Sequence, residues 1–119
     1  MIAVIFEVRP AAGRRDDYLG LAAALRRDLE RIDGFISVER FQSLTDPDKL
    51  LSLSFWRDEA AVRAWRTHRA HRAGQEAGRG GIFADYRLRV AVVVRDYGMS
   101  ERGEVPEDSR ALYDEQAAL

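Results

Sequence analysis

The chain has no cysteine in its 119 residues, which excludes disulfides, thiolate metal sites and a cysteine nucleophile. Lysine is nearly absent as well: of 19 basic residues only Lys49 is lysine, and the rest are arginine. Arginine is the better partner for flat anions and aromatic faces, so ligand contacts by a cation fall to a planar group. Neither sign of charge is in excess. A formal net charge of -1 argues against nucleic acid as a partner, since such binders usually show a strongly basic balance. No apolar run approaches the roughly 18 residues of a membrane span, so no membrane partner is expected. The opening Met1-Ile2-Ala3-Val4-Ile5-Phe6 is apolar but is broken by Glu7 and Arg9 and lacks a basic leader. A cytoplasmic protein is the expectation. No Ser-His-Asp signature, phosphate loop or dinucleotide glycine fingerprint is present; Gly78 and Gly80-Gly81 around Arg79 are too little for a phosphate cradle.

What is present reads as alternating strands and helices. Residues 2–8, β-branched and aromatic and bounded by Pro10 and Gly13, predict a strand. Tyr18, Leu21, Leu25, Leu29 and Ile32 then recur at steps of three and four, the apolar stripe of a helix. Asp16 and Asp17 suit its first turn and Arg31 its last, and Gly34 sits where a helix C-terminal glycine belongs. Two strands follow, about Phe35 to Leu44 and Leu50 to Trp56, with the turn residues Thr45-Asp46-Pro47-Asp48 between them. Asp58 is a good N-cap for a helix through Ala61, Val62 and Trp65. Helical pattern continues to about Gly78, with a break near Thr67 in prospect. A last strand runs from about Ile82 to Arg95, long enough to extend past its own sheet.

Residues 97–119 differ in texture. They carry Glu101, Glu104, Glu107, Asp108, Asp114 and Glu115 against Arg102 and Arg110, a charge of -4 that leaves +3 on the rest. Gly98, Gly103 and Pro106 break any regular pattern, so an extended acidic tail is expected, with a turn of helix near Ala111 to Ala118. The body, residues 1–96, is one domain. Its order, β-α-β-β-α-β, is α+β and ferredoxin-like, a four-stranded antiparallel sheet with helices on one face. Both strand faces are largely apolar, which calls for a cover on the second face. A second copy, sheet against sheet, is the simplest cover and gives a homodimer.

The opening strand, Ile32-Asp33-Gly34-Phe35, the hairpin ending in Ser54-Phe55-Trp56-Arg57-Asp58, and the segment Trp65 to His71 together resemble the antibiotic biosynthesis monooxygenase family. The most specific part is Trp56-Arg57-Asp58-Glu59-Ala60-Ala61 followed by Trp65 and then His71-Arg72. The resemblance covers about residues 1–96. It implies a dimeric α+β barrel with a pocket in each protomer between sheet and helices. Some members of the family oxidise polycyclic phenols or anthrones to quinones with molecular oxygen and no metal, flavin or haem; others act on small quinols or break down haem. In the haem branch a first-strand asparagine, a second-helix tryptophan and a histidine about ten residues later are used. Trp65 matches the tryptophan, but the other positions fall on Phe6 and Gln75, so haem handling is the weaker alternative. A ligand-binding or stress-response module on the same scaffold is the other.

The expected function is a cofactor-independent monooxygenase acting on a small or polycyclic aromatic with molecular oxygen. Such chemistry needs an aromatic pocket, a proton acceptor and a group that steadies an anion. His71, Trp65 and Tyr86 are the expected catalytic residues. Phe6, Phe41, Phe55, His68, Arg72 and Phe83 are the expected substrate-binding residues, with Arg40 and Arg87 as further candidates for steadying a phenolate. His68 and His71, the only histidines, titrate in the useful range. Three residues apart without a helpful carboxylate, they make a weak metal signal, and no metal site is expected.

Overall fold

A computed structural model describes residues 1–110. The elements are β1 (Ile2–Pro10), α1 (Arg15–Glu30), β2 (Phe35–Gln42), β3 (Leu50–Trp56), α2 (Glu59–Arg66), α3 (Arg69–Ala77) and β4 (Phe83–Val92). One π-type turn, Gly78–Ile82, leads into β4. The strands form a single antiparallel sheet in the order β2-β3-β1-β4, the ferredoxin-like arrangement that the element order implies.

The register decides which side chains meet. Ile2, Val4, Phe6 and Val8 of β1 stand opposite Trp56, Ser54, Ser52 and Leu50 of β3. The same β1 residues stand opposite Val92, Val90, Leu88 and Tyr86 of β4, while Val38 and Arg40 of β2 align with Ser54 and Ser52. Strand alternation puts all of these on one face, and all three helices lie against it. Trp56, 2% exposed, packs with Ile2, Leu29, Ala61 and Val62, and Phe35 meets its ring edge-on at 5.3 Å. A second cluster joins Val8, Leu50 and Tyr18 to Phe6, Leu19, Ile82 and Phe83.

The residues named in the family resemblance turn out to brace the scaffold. Arg57 donates to both oxygens of Asp33 at 3.1 and 3.2 Å and to Asp58 at 3.1 Å. That pairing holds the Asp33 carboxyl below the usual carboxylate range. Asp58 caps α2 by accepting from the Ala61 N–H at 2.9 Å. Gly34 is not the helix cap: α1 closes at Arg31, and Gly34 serves the entry to β2. Its φ of 92° is left-handed, and a Cβ there would come within 2.7 Å of the Ala61 Cβ. Only glycine combines that backbone with so close an approach.

The helical stretch after Asp58 is indeed two helices. The Thr67 hydroxyl donates to the Arg63 carbonyl at 2.9 Å and ends α2, and His68, in an extended conformation, starts α3. β4 stops at Val92, short of Arg95. Beyond it the described residues, up to 110, fold back on one another. The Asp96 N–H donates to the Glu104 carboxylate at 2.9 Å, Arg110 donates to the Arg102 carbonyl at 2.8 Å, and Val105 is buried. The helical turn expected near Ala111 to Ala118 lies outside the described residues. No helix among the described residues is long and apolar enough to cross a membrane.

Candidate active site

Between the sheet and the helices lies a cavity of about 480 Å³. The serines of β3 explain why there is space for it. Ser52 and Ser54 face the helices and are 9% and 8% exposed, so small side chains floor the cavity where Leu50 and Trp56 close its ends. The Ser54 hydroxyl accepts from the Trp56 indole N–H at 2.9 Å, which satisfies both buried groups. Leu21, Leu25 and Leu29 of α1 line one wall, and Trp65 of α2 with His71 and Gly74 of α3 line another. Gly74 permits the approach of the two helices, since a Cβ would stand 3.1 Å from Leu25.

The aromatic residues gather at the β4 end. The Phe6 ring lies 5.7 Å from Phe83 and 5.6 Å from Tyr86, and Tyr18 meets Phe83 edge-on at 5.8 Å. Gly78 holds this cluster in place from behind, because a Cβ there would come within 2.3 Å of the Phe83 ring. Across the cavity, the Trp65 ring lies 5.0 Å from His71. Burial pushes the His71 pKa below its ordinary value of 6.5, and the neighbouring charges of Arg72 and His68 push it the same way. The imidazole is therefore neutral at pH 7, the form that accepts a proton.

Of the residues the sequence singles out, Trp65, His71, Tyr86, Phe6, Phe83, Arg72 and Arg40 all line the cavity. Three expected binding residues do not. Phe41 of β2 stands opposite Leu51 and Phe55 of β3 opposite Ser37, both on the face turned away from the helices. The alternation Leu-Ser-Leu-Ser-Phe-Trp suggests that the larger apolar side chains point inward, but Trp56 and Leu50 lock the register the other way. His68 is withdrawn because the helix breaks before it: its Nδ1 accepts from the Ala70 N–H at 3.1 Å and caps α3, and its ring stacks on Trp65. Arg87 stands opposite Glu7 on the far face and lines a separate polar recess with Lys49 and Asp85. Sequence reasoning missed Ser52, Ser54 and Tyr18 as cavity residues. Tyr18 was legible only as part of the α1 stripe, and nothing local marks the serines.

The sheet order and the one-sided helices, with a cavity between them, define a ferredoxin-like α+β fold. The sequence profile of the family described as antibiotic biosynthesis monooxygenase matches residues 1–77, and the chain belongs to that family. Among its relatives is the jasmonate monooxygenase ABM of Pyricularia oryzae, 48% identical over 101 residues, covering 85% of this chain and 47% of that protein. Another is the Bacillus subtilis protein YqjZ, 36% identical over 63 residues, covering 52% of this chain and 53% of the relative. The chain thus spans about half the length of the curated relatives it matches. A solved Deinococcus radiodurans structure, titled as a protein of this same family, superposes with a TM-score of 0.74 at 12% identity, covering 83% of this chain and 98% of that one. Rv0793 of Mycobacterium tuberculosis superposes with a TM-score of 0.73 at 16% identity, covering 82% and 98%.

Proposed function

We propose that the chain is a monooxygenase whose cavity holds a small, mostly apolar molecule with an acidic hydrogen, such as a phenol, anthrone or quinol. The observation that carries this reading is His71, a neutral, half-buried imidazole beside Trp65 on the wall of an aromatic-rich cavity. In the proposed reaction of an anthrone, His71 removes a C–H proton and leaves an electron-rich carbanion. The carbanion passes an electron to molecular oxygen, and the two radicals join as a carbon-bound peroxide. Loss of water from the protonated peroxide leaves a carbonyl. One oxygen atom stays in the product and the other leaves as water, so the substrate supplies all the electrons. Trp65, Phe6 and Phe83 supply apolar surface, the Tyr86 hydroxyl donates to a substrate oxygen, and Arg72 steadies the anion. The name of the Pyricularia relative supports oxygenation of a small molecule.

Oxygen uptake by metal-stripped protein with a panel of anthrones and hydroquinones tests this reading. The expected result is uptake above autoxidation that falls in Trp65→Phe. Uptake equal to autoxidation across the panel contradicts it.

We also propose that the working unit is a homodimer joined through the sheet faces. The face turned away from the helices carries Ile5, Leu51, Leu53 and Phe55, all partly exposed, with Phe41 at 41% exposure. The radius of gyration, 17.6 Å, exceeds the ~13.5 Å of a compact domain of this length. A second copy hides such surface at the cost of ordering few new residues. Sedimentation equilibrium is expected to give twice 13.5 kDa for the parent chain and 13.5 kDa for Leu53→Glu. A parent mass of 13.5 kDa at micromolar concentration contradicts the dimer.

A further inference from the structure

Resting on the reading of this cavity as a ligand site, we propose that its ligand is an apolar monocarboxylate and that Arg40 grips the carboxylate. The cavity is lined by four arginines, Arg40, Arg66, Arg72 and Arg79, and by no aspartate or glutamate. Three of these come from the helical side and are exposed; Arg40 rises from the sheet and is partly buried. Among the described residues no carboxylate lies within ion-pairing distance of Arg40, whereas Arg9, Arg14, Arg26, Arg57 and Arg89 each have one.

Arg40 makes one hydrogen bond within the described chain, from Nε to the Tyr18 hydroxyl at 3.4 Å. A guanidinium has five N–H donors, so its terminal nitrogens keep donors free to meet a ligand. Directly across the sheet on the same face stands Ser52, buried, with no hydrogen-bond partner for its hydroxyl among the described residues. Arg40, Ser52 and Tyr18 thus form one polar corner of a cavity whose adjoining floor is Val4, Phe6 and Val38. Leaving a guanidinium partly desolvated and unpaired is unfavourable, and a carboxylate answers its fork with two parallel bonds. The apolar remainder of the cavity sets the rest of the ligand: a hydrocarbon or ring body joined to a single acid group. This assigns an orientation, with the carboxylate at β2 and the body directed along the floor towards β1.

The test is calorimetric titration of the full chain at pH 7 with two acid and amide pairs, 1-naphthylacetate against 1-naphthylacetamide and octanoate against octanamide. The parent is expected to bind each acid about tenfold or more tightly than its amide, the scale of a charge-assisted bond. Arg40→Gln is expected to remove that preference while leaving amide affinity within about twofold, which also shows that the variant is folded. Arg87→Gln, on the far face of the sheet, keeps the preference. Equal binding of acid and amide by the parent, or a preference that survives in Arg40→Gln, overturns the assignment of Arg40 and leaves the cavity as a ligand site. No binding of any of the four overturns the site itself, and this inference with it.

Discussion

Replacing His71 with alanine is expected to lower protein-dependent oxygen uptake by about 10²–10⁴-fold, the usual contribution of a positioned general base. The pH profile provides a separate signature. Burial and the charges of Arg72 and His68 hold the His71 imidazole below 6.5, so the proton-accepting form persists at pH 6.5 and the rate falls only on the acid side of that value. The alanine variant loses this acid limb together with the rate. Stability follows the same sign. In the unfolded chain the imidazole binds its proton at the ordinary value, so more protons are bound in the unfolded state at mildly acid pH. The contribution of neutral His71 is thus present above the unfolded value and is lost as pH falls through the folded one. Arg87→Gln serves as the control, because its side chain stands on the far face of the sheet and does not line the cavity. Steady-state oxygen electrode rates between pH 5 and 8 read both effects, and a parent profile that rises towards acid pH rejects His71 as the base.

The two tryptophans are expected to separate stability from activity. Trp56→Ala removes a side chain that is 2% exposed and packs against Ile2, Leu29, Ala61 and Val62. It also strands the Ser54 hydroxyl, which accepts its indole N–H. A loss of about 3–5 kcal/mol is expected, as for other large-to-small changes of aromatic residues in a packed core. Trp65 lies at the edge of the same cluster but is only partly buried and forms the cavity wall. Trp65→Ala therefore costs markedly less stability and acts mainly on ligand affinity. Urea unfolding of the two variants against the parent checks the order, and an equal loss in both would place Trp65 in the core alone.

The elements and their order were legible because periodicity reports burial directly. The α1 stripe, the capping Asp58 and the hairpin residues between β2 and β3 all work through local geometry. The helix break at Thr67 was legible for the same reason. The direction of β3 was not. Leu51, Leu53 and Phe55 are more apolar than Ser52 and Ser54, and both faces of the strand are in use, so alternation alone does not say which face meets the helices. Trp56 settles it through contacts with Ile2 and Leu29, which are far away in sequence. The face that Trp56 turns to the helices leaves Phe41 and Phe55 off the candidate site and brings in the serines. Family likeness had a similar limit. Of its most specific residues, Arg57 and Asp58 brace the loop at Asp33 and the start of α2, whereas Trp65, His71 and Arg72 join a cavity lined from all seven strands and helices.

Product analysis under ¹⁸O₂ tests the central claim most directly. Metal-stripped parent protein incubated with an anthrone is expected to give a quinone carrying one labelled oxygen atom, with the second recovered as labelled water. His71→Ala is expected to give no more than the protein-free reaction. A product whose new oxygen comes from solvent, or a yield that the His71 substitution leaves unchanged, would contradict oxygenation at this cavity.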